Sequence, residues 1–167
     1  MQFTKMQGAG NDFILIEIDN RQRDWSQLAV AMCDRHYGIG ADGLLLLLPS
    51  DVADFRMRIF NADGSESNTC GNGIRCLVKY FVDRGLAKHG TQEISVEKVT
   101  GTRRARVYKV NGKVTKVQTG MGEPKFSAKD IPVVVEPGER KIVDIKPMIT
   151  RSITVAGKEL QLSLVSM

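Results

Sequence analysis

The chain reads as an α+β protein, because three kinds of pattern recur along it. Short runs of alternating or wholly apolar residues mark strands, one stripe of helical period follows a glycine-rich loop, and Asn111-Gly112 between alternating segments marks a hairpin. At 167 residues it can bury a genuine core without covalent staples.

Gln2 to Met6 and Phe13 to Ile18 read as strands separated by a loop, Gly8-Ala9-Gly10-Asn11-Asp12. A helix follows, capped by Ser26, with Leu28, Ala29 and Met32 as its apolar stripe, and it closes at Asp34-Arg35-His36. Leu44 to Leu48 and Phe55 to Asn61 are two further strands leading into the turn pair Asp63-Gly64. From Gly71 to about Arg84 the period changes: Ile74, Leu77, Val78, Phe81 and Val82 fall at i, i+3, i+4, i+7 and i+8, a core-facing helix stopped by Gly85. Strands resume at Glu93 to Val99 and through the Asn111-Gly112 hairpin, until Gly120-Met121-Gly122-Glu123-Pro124 breaks the pattern. This places a first domain over 1–119 and the start of a second over 120–167. Strands in the second are expected at Val133 to Val135, Ile142 to Ile145, Ile153 to Val155 and Leu160 to Val165, and it reads as a unit cut short.

Composition narrows the class. Three cysteines, Cys33, Cys70 and Cys76, are too few and too odd in number for a disulfide framework, and no export segment opens the chain. The expected compartment is the reducing cytoplasm. The apolar run Leu44 to Leu48 is too short to span a bilayer, so no membrane partner is expected. The formal charge of +5 concentrates between Lys98 and Lys116, where Arg103, Arg104, Arg106, Lys109 and Lys113 alternate with valines. Those charges are expected on a solvated sheet face, and with few aromatics to stack on bases a nucleic-acid partner is not expected. A mild positive field suits an anionic or zwitterionic small molecule.

Gly38-Ile39-Gly40-Ala41-Asp42-Gly43 spells the GxGxxG of dinucleotide sites in the wrong context: a helix precedes it and a strand follows, whereas a phosphate loop needs the reverse. It reads as a structural turn. The informative segment runs from Asn61 to Cys76, polar and glycine-rich and delivered onto the start of the apolar helix. Cys70 sits at that helix's mouth. Unpaired amides there act as a partial positive charge, which can lower a cysteine pKa from about 8.5 to roughly 3.5–7.5 and make the thiol a base near neutrality. A cysteine by itself reads as a small buried residue; the place ahead of the stripe, among glycines and asparagines, favours the reactive reading. Gly71 and Gly73 leave amides open to a carboxylate. Cys76 lies inside the helix and Cys33 closes the earlier one, so both read as core. No cysteine pair or nearby histidine suggests a metal; His36 and His89 are isolated.

The run Asn-x-Asp-Gly-Ser-x4-Cys-Gly-Asn-Gly-x-Arg from Asn61 to Arg75 resembles the first active-site signature of the diaminopimelate epimerases without a break. Gly8 to Phe13, Gly38 to Leu46 and Met121 to Phe126 resemble that family's opening loop, glycine turn and interdomain crossing. The resemblance implies a curved, mostly antiparallel sheet wrapped around the helix that begins near Gly71, with the opening of a pseudo-symmetric second domain. It implies interconversion of LL- and meso-2,6-diaminoheptanedioate in lysine and peptidoglycan synthesis with neither pyridoxal phosphate nor metal, one thiolate removing the α-proton while a second thiol returns one from the opposite face. By matching position Cys70 is the first of that pair, Gly71 and Asn72 bind the reacting carboxylate end, and Asn11 and Asn61 hydrogen-bond the substrate. The resemblance also implies a homodimer for the full-length family. Gly43 stands where some members carry a substrate-contacting glutamine. The family's second cysteine signature is not among these residues, so the chain alone is expected to lack two-base activity. The rivals are a relative of the same architecture, such as a proline racemase-like or phenazine-pathway isomerase, and a non-catalytic binding or assembly module that retains the fold.

Overall fold

The computed structural model describes residues 1–19, 22–68, 70–131, 140–143 and 146–166. The chain divides into two compact units, Met1–Gly120 and Met121–Met167. In the first, the element order is β1 (Thr4–Gly8), β2 (Asn11–Glu17), α1 (Trp25–Cys33), β3 (Gly43–Leu48), β4 (Phe55–Asn61), α2 (Gly71–Asp83), β5 (Glu93–Lys98), β6 (Gly101–Val110) and β7 (Lys113–Thr119).

The seven strands form one sheet in chain order, with β2·β3 and β4·β5 parallel and the other neighbours antiparallel. The sheet curls around α2, which touches both its outermost strands, β1 and β7, as no helix on a flat seven-stranded sheet could. Polar ties fix the far side of the curl: Lys79 Nζ donates to the Val114 carbonyl at 2.7 Å, and Val114 N donates to Asp83 Oδ1 at 3.0 Å.

Strands β2 and β3 are buried on both faces, which explains the unbroken run Leu44 to Leu48, whereas β4 and β5 alternate buried with more exposed residues. Leu45 and Leu47 join Phe13, Leu15, Ile74 and Leu77 beneath α2, while Leu44 and Leu46 join Ile14, Ile16, Trp25 and Ala29 beneath α1. The stripe of α2 is buried as its spacing predicts, each side chain contributing about 1.5–3 kcal/mol of gross burial. Gly85, at φ +74°, ends that helix: its N–H bonds the Val82 carbonyl and Leu86 N bonds Phe81 O, closing the last turn.

Three local expectations change. The cap of α1 is Asp24, whose Oδ1 accepts from Gln27 N at 3.0 Å; Ser26 lies inside the helix and donates instead to the Gly64 carbonyl at 2.7 Å. The stretch from Gly8 to Asp12 is a tight hairpin, not a loop. Only Ala9 and Gly10 turn, at φ +51° and +95°, a pair of positive values that matches strand twist. Lys98 leaves the solvated face: Arg103, Arg104, Arg106, Lys109 and Lys113 are exposed, but Lys98 is 9% exposed on the inward side of β5.

In the second unit β8 (Arg140–Val143), β9 (Lys146–Val155) and β10 (Lys158–Leu164) form an antiparallel sheet in the order β10-β9-β8. Ala156 and Gly157 turn between the last two, both at positive φ. The strands expected at Val133 to Val135 and the end of Ile142 to Ile145 lie outside the described residues. Among the described residues, no helix is long and apolar enough to cross a membrane.

Candidate active site

Sheet topology brings one set of strand ends together. β1 ends at Gly8 beside Asn11, which begins β2; Phe13 stands abreast of Gly43, which begins β3; Gly43 stands abreast of Asn61, which ends β4. β5 runs parallel to β4 and ends at Lys98, one residue beyond the Arg56–Glu97 pair and short of the Asn61 end. The mouth of α2 opens there too: a Cβ on Gly8 would lie 3.2 Å from the Asn72 carbonyl and 3.1 Å from Cys76 Sγ, so glycine lets the hairpin sit tightly against the helix.

Cys70 is the N-cap of α2. Its backbone is extended (φ −152°, ψ 99°) and its Sγ accepts from Gly73 N at 3.2 Å, in the place a serine or aspartate oxygen commonly takes. Gly73 lets the sulfur sit this close, since a Cβ there would lie 3.3 Å from Sγ and about 3 Å from the ends of Leu45 and Met57. Cys70 is partly exposed and lines a small cleft with Met57, Ile59, Arg58, Glu66 and Lys98.

Asn72 and Asn11, 61 residues apart, are hydrogen-bonded at 2.6 Å, with Arg75 donating to the Asn72 side-chain carbonyl. Asn11 is held in turn by Asp42, whose Oδ2 accepts from its side-chain amide at 3.2 Å. Asn61 donates to Ser65 Oγ at 2.9 Å, closing the turn before the cysteine loop. The amides of Gly71 and Asn72 open the helix beside Cys70. Gly43 is packed for glycine, as a Cβ would come within 2.8 Å of the Phe60 carbonyl.

The other two thiols are buried. Cys76 is 3% exposed and burial, together with the charge of Cys70, pushes its thiol up to about 11; burial likewise pushes up the thiol of Cys33. Among the described residues, no group of three or more His, Cys, Asp or Glu side chains gathers as a metal would require.

Sequence reasoning missed two features. One is Lys98, whose signal is that Ile94, Val96 and Lys98 share one face of an alternating strand. The other is a charged bracket under the opening hairpin. Arg35 donates to both Asp12 and Asp42 at 2.7 Å, and Lys5 pairs with Asp12 at 2.9 Å. These partners hold the Asp12 carboxyl well below its ordinary value, Arg35 contributing most. A carboxylate with a lowered folded-state pKa contributes stability that is complete above the unfolded value near about 3.9 and is lost as pH falls through the folded one. An Asp12→Asn chain is therefore expected to be less stable near neutrality and to show a shallower loss below about pH 4. Urea unfolding across that range checks it; an unchanged acid slope would count against the bracket.

The diaminopimelate epimerase family model matches residues 3–127. The chain is 46% identical over 165 residues to a diaminopimelate epimerase of Caldanaerobacter subterraneus subsp. tengcongensis, covering 99% of this chain and 56% of that protein. It is 44% identical to one of Agathobacter rectalis, covering all of this chain and 58% of that protein. The chain thus spans little more than half the length of the curated relatives it matches. Among solved structures it resembles a probable proline racemase of Agrobacterium radiobacter, with a TM-score of 0.66 at 16% identity, over 98% of this chain and 48% of that one. A hydroxyproline epimerase of Agrobacterium vitis gives 0.64 at 15% identity over the same shares. At such identities these two show a shared fold, the curled sheet around a helix.

Proposed function

Because the chain belongs to the diaminopimelate epimerase family, we propose that it contributes one half of an epimerase site for 2,6-diaminoheptanedioate, with Cys70 as one of two proton-exchanging thiols. The observation that carries the reading is the seat of Cys70: a partly exposed sulfur capping a helix and opening on a cleft, while the other two cysteines are sealed in the core. The α-hydrogen of an amino acid is weakly acidic, so a base must act beside donors already in place for the developing charge. In this reading the amides of Gly71 and Asn72 take the carboxylate at the reacting end, and Asn11 and Asn61 hydrogen-bond the substrate. Residues 1–119 act as the first epimerase domain, and the site works without pyridoxal phosphate or metal. A cytoplasmic setting keeps the thiol reduced, and full-length members of the family pair as homodimers.

Inversion needs a second acid on the opposite face. Neither Cys33 nor Cys76 reaches the cleft that Cys70 lines, so the chain by itself is expected to give no measurable inversion. Incubation with the LL isomer, followed by separation of the meso product, tests this. The chain alone should yield none, and adding the part of the Caldanaerobacter relative that it does not cover should yield turnover that Cys70→Ser removes. Robust turnover by the chain alone would sink the half-site reading, and complemented protein that folds without turning over would sink the activity.

A further inference from the structure

Lys98 occupies a position where packing alone gives a lysine no reason to stand. On β5 the inward residues are Ile94, Val96 and Lys98, and the first two are fully buried. The same alternation carries the lysine stem beneath the curl of the sheet, leaving it 9% exposed. Among the described residues it is the only charged side chain buried to that degree, and no hydrogen bond or ion pair meets its ammonium. Its nitrogen is not sealed, since among those residues the one enclosed polar atom without a partner is Thr119 Oγ1. Lys98 and Cys70 line the same small cleft.

A cation desolvated this far and left unpaired calls for an anion. The ionisable groups around it narrow the choice. Arg58 and Glu66, on the cleft wall, are spent on each other through two bonds of 2.7 and 2.9 Å. Burial pushes the Lys98 ammonium toward its neutral form, and the positive charge of Arg103, from β6, adds to that push. Cys70 remains, near enough that its charge opposes that push.

We infer that Lys98 is a positioning residue for Cys70, its ammonium delivered along the inward face of β5 to stand as the counter-charge of the Cys70 thiolate. The inference rests on the reading of Cys70 as a base. The sulfur gives its proton to water and stays as an anion, while Lys98 keeps all of its own protons; no bond between them forms. By reciprocity the thiolate restores to Lys98 the charge that burial disfavours.

The test is the pH profile of Cys70 alkylation by iodoacetamide in the full chain, with the adduct located by peptide mass. Lys98→Met and Lys98→Gln should each move the midpoint of that profile up by about one pH unit, the scale of a nearby opposite charge, and Lys98→Arg should restore much of it. The Met chain should melt at the same temperature as the parent or higher, because it removes an unpaired buried charge; should it fail to fold, the polar Gln chain supplies the profile. Midpoints unmoved in the folded variants overturn the inference. A shifted midpoint beside absent turnover in the complemented protein would overturn the epimerase reading and leave Lys98 in place. Turnover with unmoved midpoints would overturn Lys98 alone.

Discussion

A Cys70→Ser chain is expected to take up no haloacetamide label under native conditions in which the parent takes up one equivalent. The contrast follows from where the three sulfurs stand. Cys70 caps α2 with its Sγ on the rim of a cleft, and only a thiolate attacks such a reagent at a useful rate. Cys33 and Cys76 are 2% and 3% exposed, and burial raises both thiols, Cys76 to about 11. Near pH 8 that leaves about one part in a thousand of Cys76 as thiolate, behind a closed core. Labelling of the variant should therefore be slower by about a hundredfold or more and should wait on opening of the fold. In denaturant the difference should reduce to a single site, since all three cysteines are then free to react. Intact-mass measurement reads both results; a native adduct on Cys33 or Cys76 would remove the basis for assigning Cys70 the base.

Gly38→Ala is expected to destabilise the chain by about 3 kcal/mol or more, with a fall in melting temperature of roughly 10 °C. A Cβ at this position would lie 2.3 Å from the Ala31 carbonyl and 2.8 Å from those of Met32 and Asp34. These are backbone atoms at the end of α1, so no rotamer relieves the overlap. The turn also closes that helix: Ile39 N and Gly40 N both bond the Met32 carbonyl, and Ala41 N bonds that of Cys33. Its amides are thus spent on the helix end and leave none for phosphate, which is why the GxGxxG spelling carries no nucleotide site here. Gly10→Ala is the matched control. Nothing lies within 4 Å of its Cβ, and the cost is the positive φ of +95° alone, about 1 kcal/mol. Thermal melts of the two chains should separate steric exclusion from backbone strain; equal losses would show that the packing of Gly38 is not what it sustains.

Much of this protein was legible in the sequence because the information is local. The helical stripe from Ile74 to Val82 is fixed by a 3.6-residue period and recurs as the buried face of α2. The Asn111-Gly112 turn follows from two residues that tolerate positive φ, at +51° and +78°. The position of Cys70 ahead of that stripe, among glycines, was enough to place a sulfur at a helix mouth. Where the sequence misled, two local solutions of similar energy competed. Asp24 and Ser26 are both competent caps, and tertiary contact decided: Ser26 is drawn to the Gly64 carbonyl, which leaves the end to Asp24.

What only the tertiary structure decided is which distant residues meet. Alternation along Glu93 to Lys98 says that Lys98 shares a face with Ile94 and Val96, but a lysine ending such a row reads as an exposed edge until the sheet is seen to curl over it. The pairing of Asn11 with Asn72 and the bracket of Arg35, Asp12 and Asp42 depend on strand ends brought abreast by hydrogen-bond register, which no single segment encodes. Period and turn chemistry are short-range properties of the backbone. The curl of a seven-stranded sheet is a sum over all its pairings, and the site exists only at the end where that sum closes around α2.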